Sequence, residues 1–275
     1  MPRAAAPRYP RCPRVSSRST SPSSRRRGYA PPSTASKSLD SASLLADLVR
    51  IDSINPDLVP GAAGEGAFAR FIATWAEGQG LEVHLVEPVA GRPSVVAVAR
   101  GTGGGRSLML NGHIDTVGVA GMGDPFAGRT EAGRLYGRGA YDMKGGVAAC
   151  LCAAARARGR RLRGDVVVTC VADEEVASLG MQAVLAAWRT EAAIVAEPTG
   201  LDVCIAHRGF VWLEVAVRGR AAHASRPDLG LDAIAKAGRV LTGVGDLDRA
   251  CARARPIRCW APDRRTSRLS VAARR

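Results

Sequence analysis

Two runs of residues decide the fold: Leu108-Met109-Leu110-Asn111-Gly112-His113-Ile114-Asp115-Thr116, and then Gly137-Arg138-Gly139-Ala140-Tyr141-Asp142-Met143-Lys144-Gly145-Gly146. The first is an apolar run that breaks into polar residues. This pattern is typical of a buried strand that delivers side chains at its carboxyl end, where open α/β sheets place their sites. Alternate side chains of a strand share a face, so His113 and Asp115 point the same way. The spacing suits a metal-binding imidazole held by a carboxylate, although a His-x-Asp pair also ends ordinary strands.

The segments on either side predict alternating helices and strands. Apolar spacing predicts helices over residues 41–51, 65–78, 145–157 and 179–188, and strands over 81–87, 94–100, 165–172 and 192–196. The strand at 165–172 is continuously apolar, as strands covered on both faces are. We therefore expect an α/β domain with a mostly parallel sheet and a site along one edge.

Acidic residues follow the predicted strands at the points where they end. Asp173-Glu174-Glu175 follow one buried strand, Glu197 follows the next, and Asp142 lies among glycines ahead of a helix. Consecutive acids after a buried strand are costly unless a cation compensates them. One His with several carboxylates is the ligand mix of a borderline divalent ion, so zinc, manganese and cobalt are all possible.

The charge of the chain is concentrated at its two ends. The first 40 residues carry eight Arg and one Lys against one Asp, and the last 25 carry eight Arg against one Asp, so residues 41–250 hold only −1 of the net +14. The interior has no basic surplus to offer a phosphate backbone. We therefore expect no nucleic-acid partner.

Cysteine usage and hydropathy bear on the compartment. The seven cysteines form no Cys-x-x-Cys pair, and three of them, Cys150, Cys152 and Cys170, fall in a predicted helix and a predicted strand. Buried, reduced thiols and a cytoplasmic location are the expectation. No apolar run approaches the ~20 residues of a membrane span, so no membrane partner is expected.

The basic leader, residues 1–38, is rich in Arg, Ser and Pro and has no apolar periodicity. Such a composition cannot bury enough surface to order itself, which predicts disorder. An organelle transit peptide has a similar composition, and so does a start codon placed too far upstream. Disorder or such a misassignment is the interpretation that we favour.

Four motifs stand in a fixed order: Gly112-His113-Ile114-Asp115-Thr116-Val117, residues 135–146, Asp173-Glu174-Glu175, and Ala196-Glu197-Pro198-Thr199. Over about residues 41–250 the chain resembles the dinuclear metallohydrolases that include acetylornithine deacetylase, succinyl-diaminopimelate desuccinylase, aminoacylase and carboxypeptidase G. The resemblance implies a three-layer α/β/α catalytic domain of the zinc-exopeptidase type at 39–206. It also implies an incomplete α+β lid, or dimerisation, domain at 207–250.

The resemblance also implies a role for each motif residue. His113 and Glu197 would hold one metal ion, Glu175 would help to hold a second, and Asp142 would bridge both. Asp115 would orient His113. Glu174 would be the general base, diverging from Glu175 if the chain stays extended there.

A further His belongs to the predicted lid. A strand over 210–218 and a helix over 231–244 flank His223, which the resemblance places at a neighbouring subunit's oxyanion in a homodimer. Without that context His223 would be read as a surface residue. His84 and His207 match no motif and are expected to be structural.

The last segment, residues 251–275, is Arg-rich and aperiodic, and the resemblance stops before it. Reading its codons in another frame permits family-like sequence, so we interpret it as an aberrant tail from a frame slip. A divergent tail or a true short form is the alternative. Because relatives supply a later His to the second metal, we expect one ion in this chain and impaired activity.

The expected function is hydrolysis of the carbon–nitrogen amide bond of a small N-acyl amino acid, of the acetylornithine deacetylase or succinyl-diaminopimelate desuccinylase type. Two alternatives remain open. One is a metallo-exopeptidase of the carboxypeptidase G or dipeptidase type that acts on a dipeptide-like substrate. The other is a non-catalytic pseudoenzyme.

Overall fold

The computed structural model describes residues 39–205 and 215–253. The chain divides into two compact units between Gly200 and Leu201. The predicted leader lies outside the described residues, as do residues 254–275 of the predicted tail and His207. In the described part, no helix is both long enough and apolar enough to cross a membrane.

The first unit contains every helix and strand predicted for it, each with ends within two residues of the predicted ones. The helices are α1 (Ser41–Val49), α2 (Gly66–Gly78), α3 (Gly145–Arg158) and α4 (Leu179–Ala187). The strands are β1 (Glu82–Val86), β2 (Ser94–Ala99), β3 (Leu108–His113), β4 (Arg129–Glu131), β5 (Arg134–Tyr136), β6 (Val166–Val171) and β7 (Ala192–Val195). Strands β4 and β5, which follow β3 and precede α3 along the chain, form a separate antiparallel pair.

The main sheet has five strands in the order β1-β2-β6-β3-β7. Strand β3 runs parallel to both β6 and β7, whereas β2 runs antiparallel to β1 and to β6. The expectation of a mostly parallel sheet is therefore wrong, because half of the pairings are antiparallel. The short turn between β1 and β2 can only reverse the chain. The parallel strands are the ones whose ends carry the predicted site residues.

The core lies on both faces of the sheet. In β2, Val95, Ala97 and Ala99 pack on one side and Val96 and Val98 on the other, as the two-residue period of a strand requires. The first side is covered by α1, α2 and α3 and the second by α4. The predicted three-layer α/β/α architecture is confirmed.

Strand β7 differs from the strand that the sequence predicts. An apolar strand was expected to be buried, but all of Ala192–Val195 is exposed. Among the described residues, β7 pairs only with β3 and forms the edge of the sheet.

The second unit is mainly helical in its described part. The predicted strand over 210–218 begins outside the described residues, and Val215–Arg218 are not in a strand. Helix α5 (Ala233–Arg253) is nine residues longer at its carboxyl end than predicted. An Arg249–Asp246 ion pair with helical spacing lies in this extension.

Candidate metal centre

The ends of three parallel strands bring the predicted residues together. Strand β3 lies between β6 and β7, and His113 at its end is opposite Val171 of β6. One residue beyond β7, Ala196 donates its N–H to the carbonyl of Asn111 at 2.9 Å. Because parallel strands end at the same edge, Glu174, Glu175 and Glu197 reach the side chain of His113.

His113 is buried, and both of its ring nitrogens face oxygen acceptors. Nδ1 lies 3.0 Å from the backbone oxygen of Asp115, and the carboxylate of Asp115 is 3.6 Å away. Nε2 lies 3.0 Å from Oδ1 of Asp142, 3.7 Å from Oε1 of Glu197 and 4.0 Å from Oε2 of Glu174. The backbone carbonyl fixes the orientation of the ring and directs Nε2 at the acids.

A close approach of backbone brings α3 against the end of β7. Gly146, in the first turn of α3, leaves no room for a side chain, because a Cβ there would lie 2.4 Å from the carbonyl oxygen of Ala196. The preceding loop turns at Gly139 with a φ of 76° and carries Asp142 to His113. The glycines around Asp142 thus allow the helix, the loop and the strand end to meet.

Residues 174–177 form a turn, so the chain is not extended at Glu174 and Glu175 as expected. The backbone N–H groups of Glu174 and Glu175 donate to the Asp115 carboxylate at 3.0 and 3.2 Å. The turn bends both residues around that carboxylate. Their side chains still reach the site, because each belongs to a cluster with His113.

Two overlapping groups of side chains could hold a metal ion. One consists of His113, Glu174 and Glu197, and the other of His113, Asp142 and Glu175. Within each group the donor atoms lie within 4.8 Å of one another. Both groups use His113, so the described residues offer one imidazole and four carboxylates around it.

The electrostatics of these residues reflect crowded, partly buried charge. Burial raises the pKa of Glu175 to about 7, and it also raises those of Glu174 and Glu197. A hydrogen bond from His113 lowers the pKa of Asp142. Burial opposes protonation of His113, but its contacts with Asp115 and Asp142 and the charge of Glu197 raise its pKa to about 11.

The donor set fits a divalent cation. Carbonyl and carboxylate oxygens only accept hydrogen bonds, and a neutral imidazole has one N–H. Nδ1 donates the one N–H of a neutral ring to the Asp115 carbonyl, so Nε2 has no proton to offer Asp142. The short contact between Nε2 and the carboxylate therefore requires either a second proton on the ring or a cation bound between them. Zinc, cobalt and manganese accept such nitrogen and oxygen ligands, whereas calcium and magnesium prefer oxygen alone.

The sequence reasoning missed a polar network beneath the site. Asn55, Arg92 and Asp173 are buried and linked by hydrogen bonds to Asp115. The sequence pattern shows Asp173 only as part of an acidic run. The position of Asp173, as the first acid after a buried strand, was a signal that could have identified it. No feature of the sequence marks Arg92 in this way.

Lys144 is a second buried residue that sequence reasoning did not single out. Its Nζ donates to the carbonyls of Ile51 and Leu48 at 2.7 and 3.2 Å. Burial lowers its pKa to about 7. It ties the loop that carries Asp142 to the end of α1.

His223 belongs to the second unit. Its Nδ1 accepts from the N–H of Ser225 at 3.3 Å and lies 2.9 Å from the Ser225 hydroxyl. It forms no part of the metal groups found among the described residues.

Comparison with known proteins identifies the family. Residues 109–253 match the model of "Peptidase family M20/M25/M40", which is more than half of the chain. The chain belongs to this family. It is 42% identical over 152 residues to an acetylornithine deacetylase of Myxococcus xanthus, a match that covers 54% of this chain and 40% of that protein. The M20 chain thus spans less than half the length of this curated relative.

Solved structures agree on the fold. An M20 family metallo-carboxypeptidase of Sulfolobus solfataricus matches with a TM-score of 0.50 and 22% identity, covering 57% of this chain and 37% of that one. A tripeptidase of Staphylococcus aureus matches with a TM-score of 0.50 and 20% identity, covering 74% and 55%. The M20 chain therefore has the α/β fold of these proteins.

Proposed function

We propose that the chain provides the metal centre of an amidohydrolase that cleaves the amide bond of a small N-acyl amino acid, of the acetylornithine type. The observation that carries the proposal is His113, whose Nε2 faces the carboxylates of Asp142, Glu174 and Glu197. The 42% identity to an acetylornithine deacetylase supports the substrate class.

In this proposal His113, Asp142 and Glu197 would hold one divalent ion, and Asp142 and Glu175 would contribute ligands to a second. Zinc, cobalt or manganese would serve. When bound, the metal supplies Lewis acidity that polarises the amide carbonyl and makes water a stronger acid. The described residues share a single imidazole, so we assign one tightly held ion to them.

Glu174 is the general base of the proposed reaction. It removes a proton from the water that attacks the amide carbonyl, and it gives that proton to the amide nitrogen as the C–N bond breaks, so that the amine leaves neutral. Its burial raises its pKa, which brings the carboxylate closer to the value that suits proton transfer near neutral pH. Asp115 acts on the site through His113 and through the turn that carries Glu174 and Glu175.

Three parts of the proposal concern the protein as a whole. His223 and the segment around it belong to a lid, at 207–250, through which two copies pair. His223 there assists the oxyanion of the partner copy's substrate. The location is cytoplasmic, which the free, buried thiols of Cys150, Cys152 and Cys170 support.

The test is metal-dependent hydrolysis by the full chain. Protein stripped with a chelator and reloaded with Zn²⁺ or Co²⁺ is assayed on N-acetylornithine, N-succinyl-diaminopimelate, a folate-like glutamate amide and a dipeptide, with His113→Asn as the control. Hydrolysis of an acyl amino acid that is lost with the metal or with His113 supports the proposal. Metal binding without turnover of any substrate would indicate a non-catalytic protein, and turnover of the dipeptide alone an exopeptidase.

A further inference from the structure

Arg92 is a buried cation that stands apart from the metal donors. It lies two residues before β2 and its side chain is 8% exposed. Nε and Nη2 donate to the two carboxylate oxygens of Glu65 at 2.7 and 2.8 Å, and Nη1 donates to the partly exposed Asp57 at 2.6 Å. Nη2 also donates to Oδ1 of Asp173 at 2.9 Å. One guanidinium therefore compensates two fully buried carboxylates, those of Glu65 and Asp173.

Asp173 transmits this contact to the turn that bears the functional acids. Its backbone is left-handed, with a φ of 66°, and its carbonyl accepts the N–H groups of Ala177 and Ser178 at 3.2 and 2.5 Å. Few residues other than Gly adopt this conformation without cost, although Asp tolerates it. The contact between Arg92 and the Asp173 carboxylate holds this residue in place immediately before Glu174.

Asn55 joins the same network to the residues around His113. Its Nδ2 donates to Oδ2 of Asp115 at 2.7 Å and to Oδ1 of Asp173 at 3.1 Å. The Asp115 carboxylate in turn accepts the N–H groups of Glu174 and Glu175. The turn is thus held at two points. Asp115 accepts hydrogen bonds from its backbone N–H groups, and Arg92 donates to the side chain of Asp173, which precedes it.

We propose that Arg92 is a positioning residue of the metal centre, acting through Asp173 on the turn that presents Glu174 and Glu175. Its hydrogen bonds go to Glu65, Asp57 and Asp173, none of which belongs to the two metal groups. This inference rests on the proposed metal site. Outer contacts of this kind set the orientation of ligands, and their loss typically costs ~10–100-fold in metal affinity or activity.

A matched arginine distinguishes positioning from simple stabilisation. Arg100, just beyond the other end of β2, also bridges two acids, donating to Glu82 at 2.7 and 2.8 Å and to Asp165 at 2.8 Å. Neither acid contacts the turn or the metal donors in the hydrogen bonds of the described residues. If Arg92 only holds elements together, changing either arginine should alter stability and leave the metal site as it was.

The test is Co²⁺ titration of the metal-free full chain, because the visible spectrum of Co²⁺ reports ligand geometry as well as affinity. Wild type, Arg92→Met, Arg92→Lys and Arg100→Met are compared after circular dichroism has established that each is folded. We expect Arg92→Met to weaken Co²⁺ binding ~10–100-fold and to change the spectrum at saturation. Arg92→Lys should restore part of the affinity, and Arg100→Met should bind as wild type does.

Each other outcome has a defined meaning. A folded Arg92→Met chain with wild-type Co²⁺ affinity and spectrum overturns the positioning role and leaves the proposed function intact. If Arg92→Met does not fold, Arg92→Lys decides by the same two measurements, a changed affinity and spectrum supporting the role and unchanged values overturning it. Failure of the wild-type chain to bind Co²⁺ overturns the metal site itself, and the positioning role with it.

Discussion

Nε2 of His113 lies 3.0 Å from Oδ1 of Asp142, a residue 29 positions further along the chain. The imidazole is buried, whereas the carboxylate is 56% exposed. The pair therefore lies at the boundary between the protein interior and solvent. The imidazole is held in place by the Asp115 carbonyl, and the Asp142 carboxylate is accessible from solvent. This arrangement favours an ion that enters from solvent and is captured by a preoriented ring.

The first prediction concerns His113, which both metal groups share. His113→Asn removes the only imidazole among their donors, so we expect metal content to fall from about one ion per chain to a small fraction of that. Elemental analysis after dialysis against Zn²⁺ measures this content. His84→Asn is the control, since His84 lies on β1 and contacts Glu82 and Trp188. Full metal content in His113→Asn would refute the assignment.

The second prediction separates the two adjacent glutamates. Glu174→Gln should retain the metal but lower turnover of N-acetylornithine by about two to four orders of magnitude, because a general base is removed. Glu175→Gln should instead weaken the binding of a second ion and leave the tightly held ion in place. Turnover and metal content are measured on the same samples. Retained turnover in a metal-loaded Glu174→Gln chain would show that another group is the base.

Several of the candidate site residues could be grouped from the sequence because they lie at or just after the end of an apolar run, whereas Asp142 lies in a glycine-rich segment. His113 ends β3, and Glu174 and Glu197 follow β6 and β7, so the expectation that these strands run parallel places the three residues at one edge. The network beneath them could not be predicted in this way. Asn55 and Arg92 contact Asp173 across 118 and 81 residues, and no local pattern encodes partners so distant.

The sequence pattern could not predict the direction in which β1 and β2 run relative to their neighbours. Residues 95–99 are all apolar, as in an internal parallel strand, and β2 is indeed buried on both faces. Its antiparallel pairing with β6 depends on where the chain re-enters the sheet, and apolar periodicity is the same for either direction. The exposure of β7 likewise depends on which elements cover it.

The third prediction is the pH dependence of the metal-free chain. Burial raises the pKa of Glu175 from 4.5 to about 7, and the pKa values of Glu174 and Glu197 are raised as well. Between pH 4.5 and about 7, Glu175 is protonated to a larger extent in the folded chain than in the unfolded chain. The free energy of unfolding therefore falls as the pH rises through this range. His113 and Lys144 contribute little below pH 6.5, since both are then protonated in either state.

Thermal unfolding from pH 5 to 6.5, without metal, measures this effect. Tm should fall with rising pH, and Glu175→Gln should reduce the slope. With Zn²⁺ present the sign should reverse, because carboxylate ligands must be deprotonated and metal affinity therefore rises with pH. A metal-free Tm that rises across this range would contradict the burial of these acids.

The last prediction concerns Gly146, where α3 meets the end of β7. A methyl group there would lie 2.4 Å from the carbonyl oxygen of Ala196 and 2.9 Å from Cε of Met143. The methionine end can move, but the carbonyl belongs to the backbone immediately before Glu197 and cannot yield without carrying that residue with it. Gly146→Ala should therefore displace Glu197 from His113 and weaken Zn²⁺ binding by ~10-fold or more.

Gly78→Ala is the matched control for this change. Gly78 also lies in a helix, α2, and a Cβ there would meet nothing within 4 Å. The substitution should leave Zn²⁺ affinity unchanged and raise stability by ~0.5–1 kcal/mol, because alanine loses less backbone freedom on folding. Competition titration against a Zn²⁺ indicator gives the affinities, and urea unfolding gives the stabilities. Equal Zn²⁺ affinity in the two variants would mean that the packing of α3 against Ala196 does not set the position of Glu197.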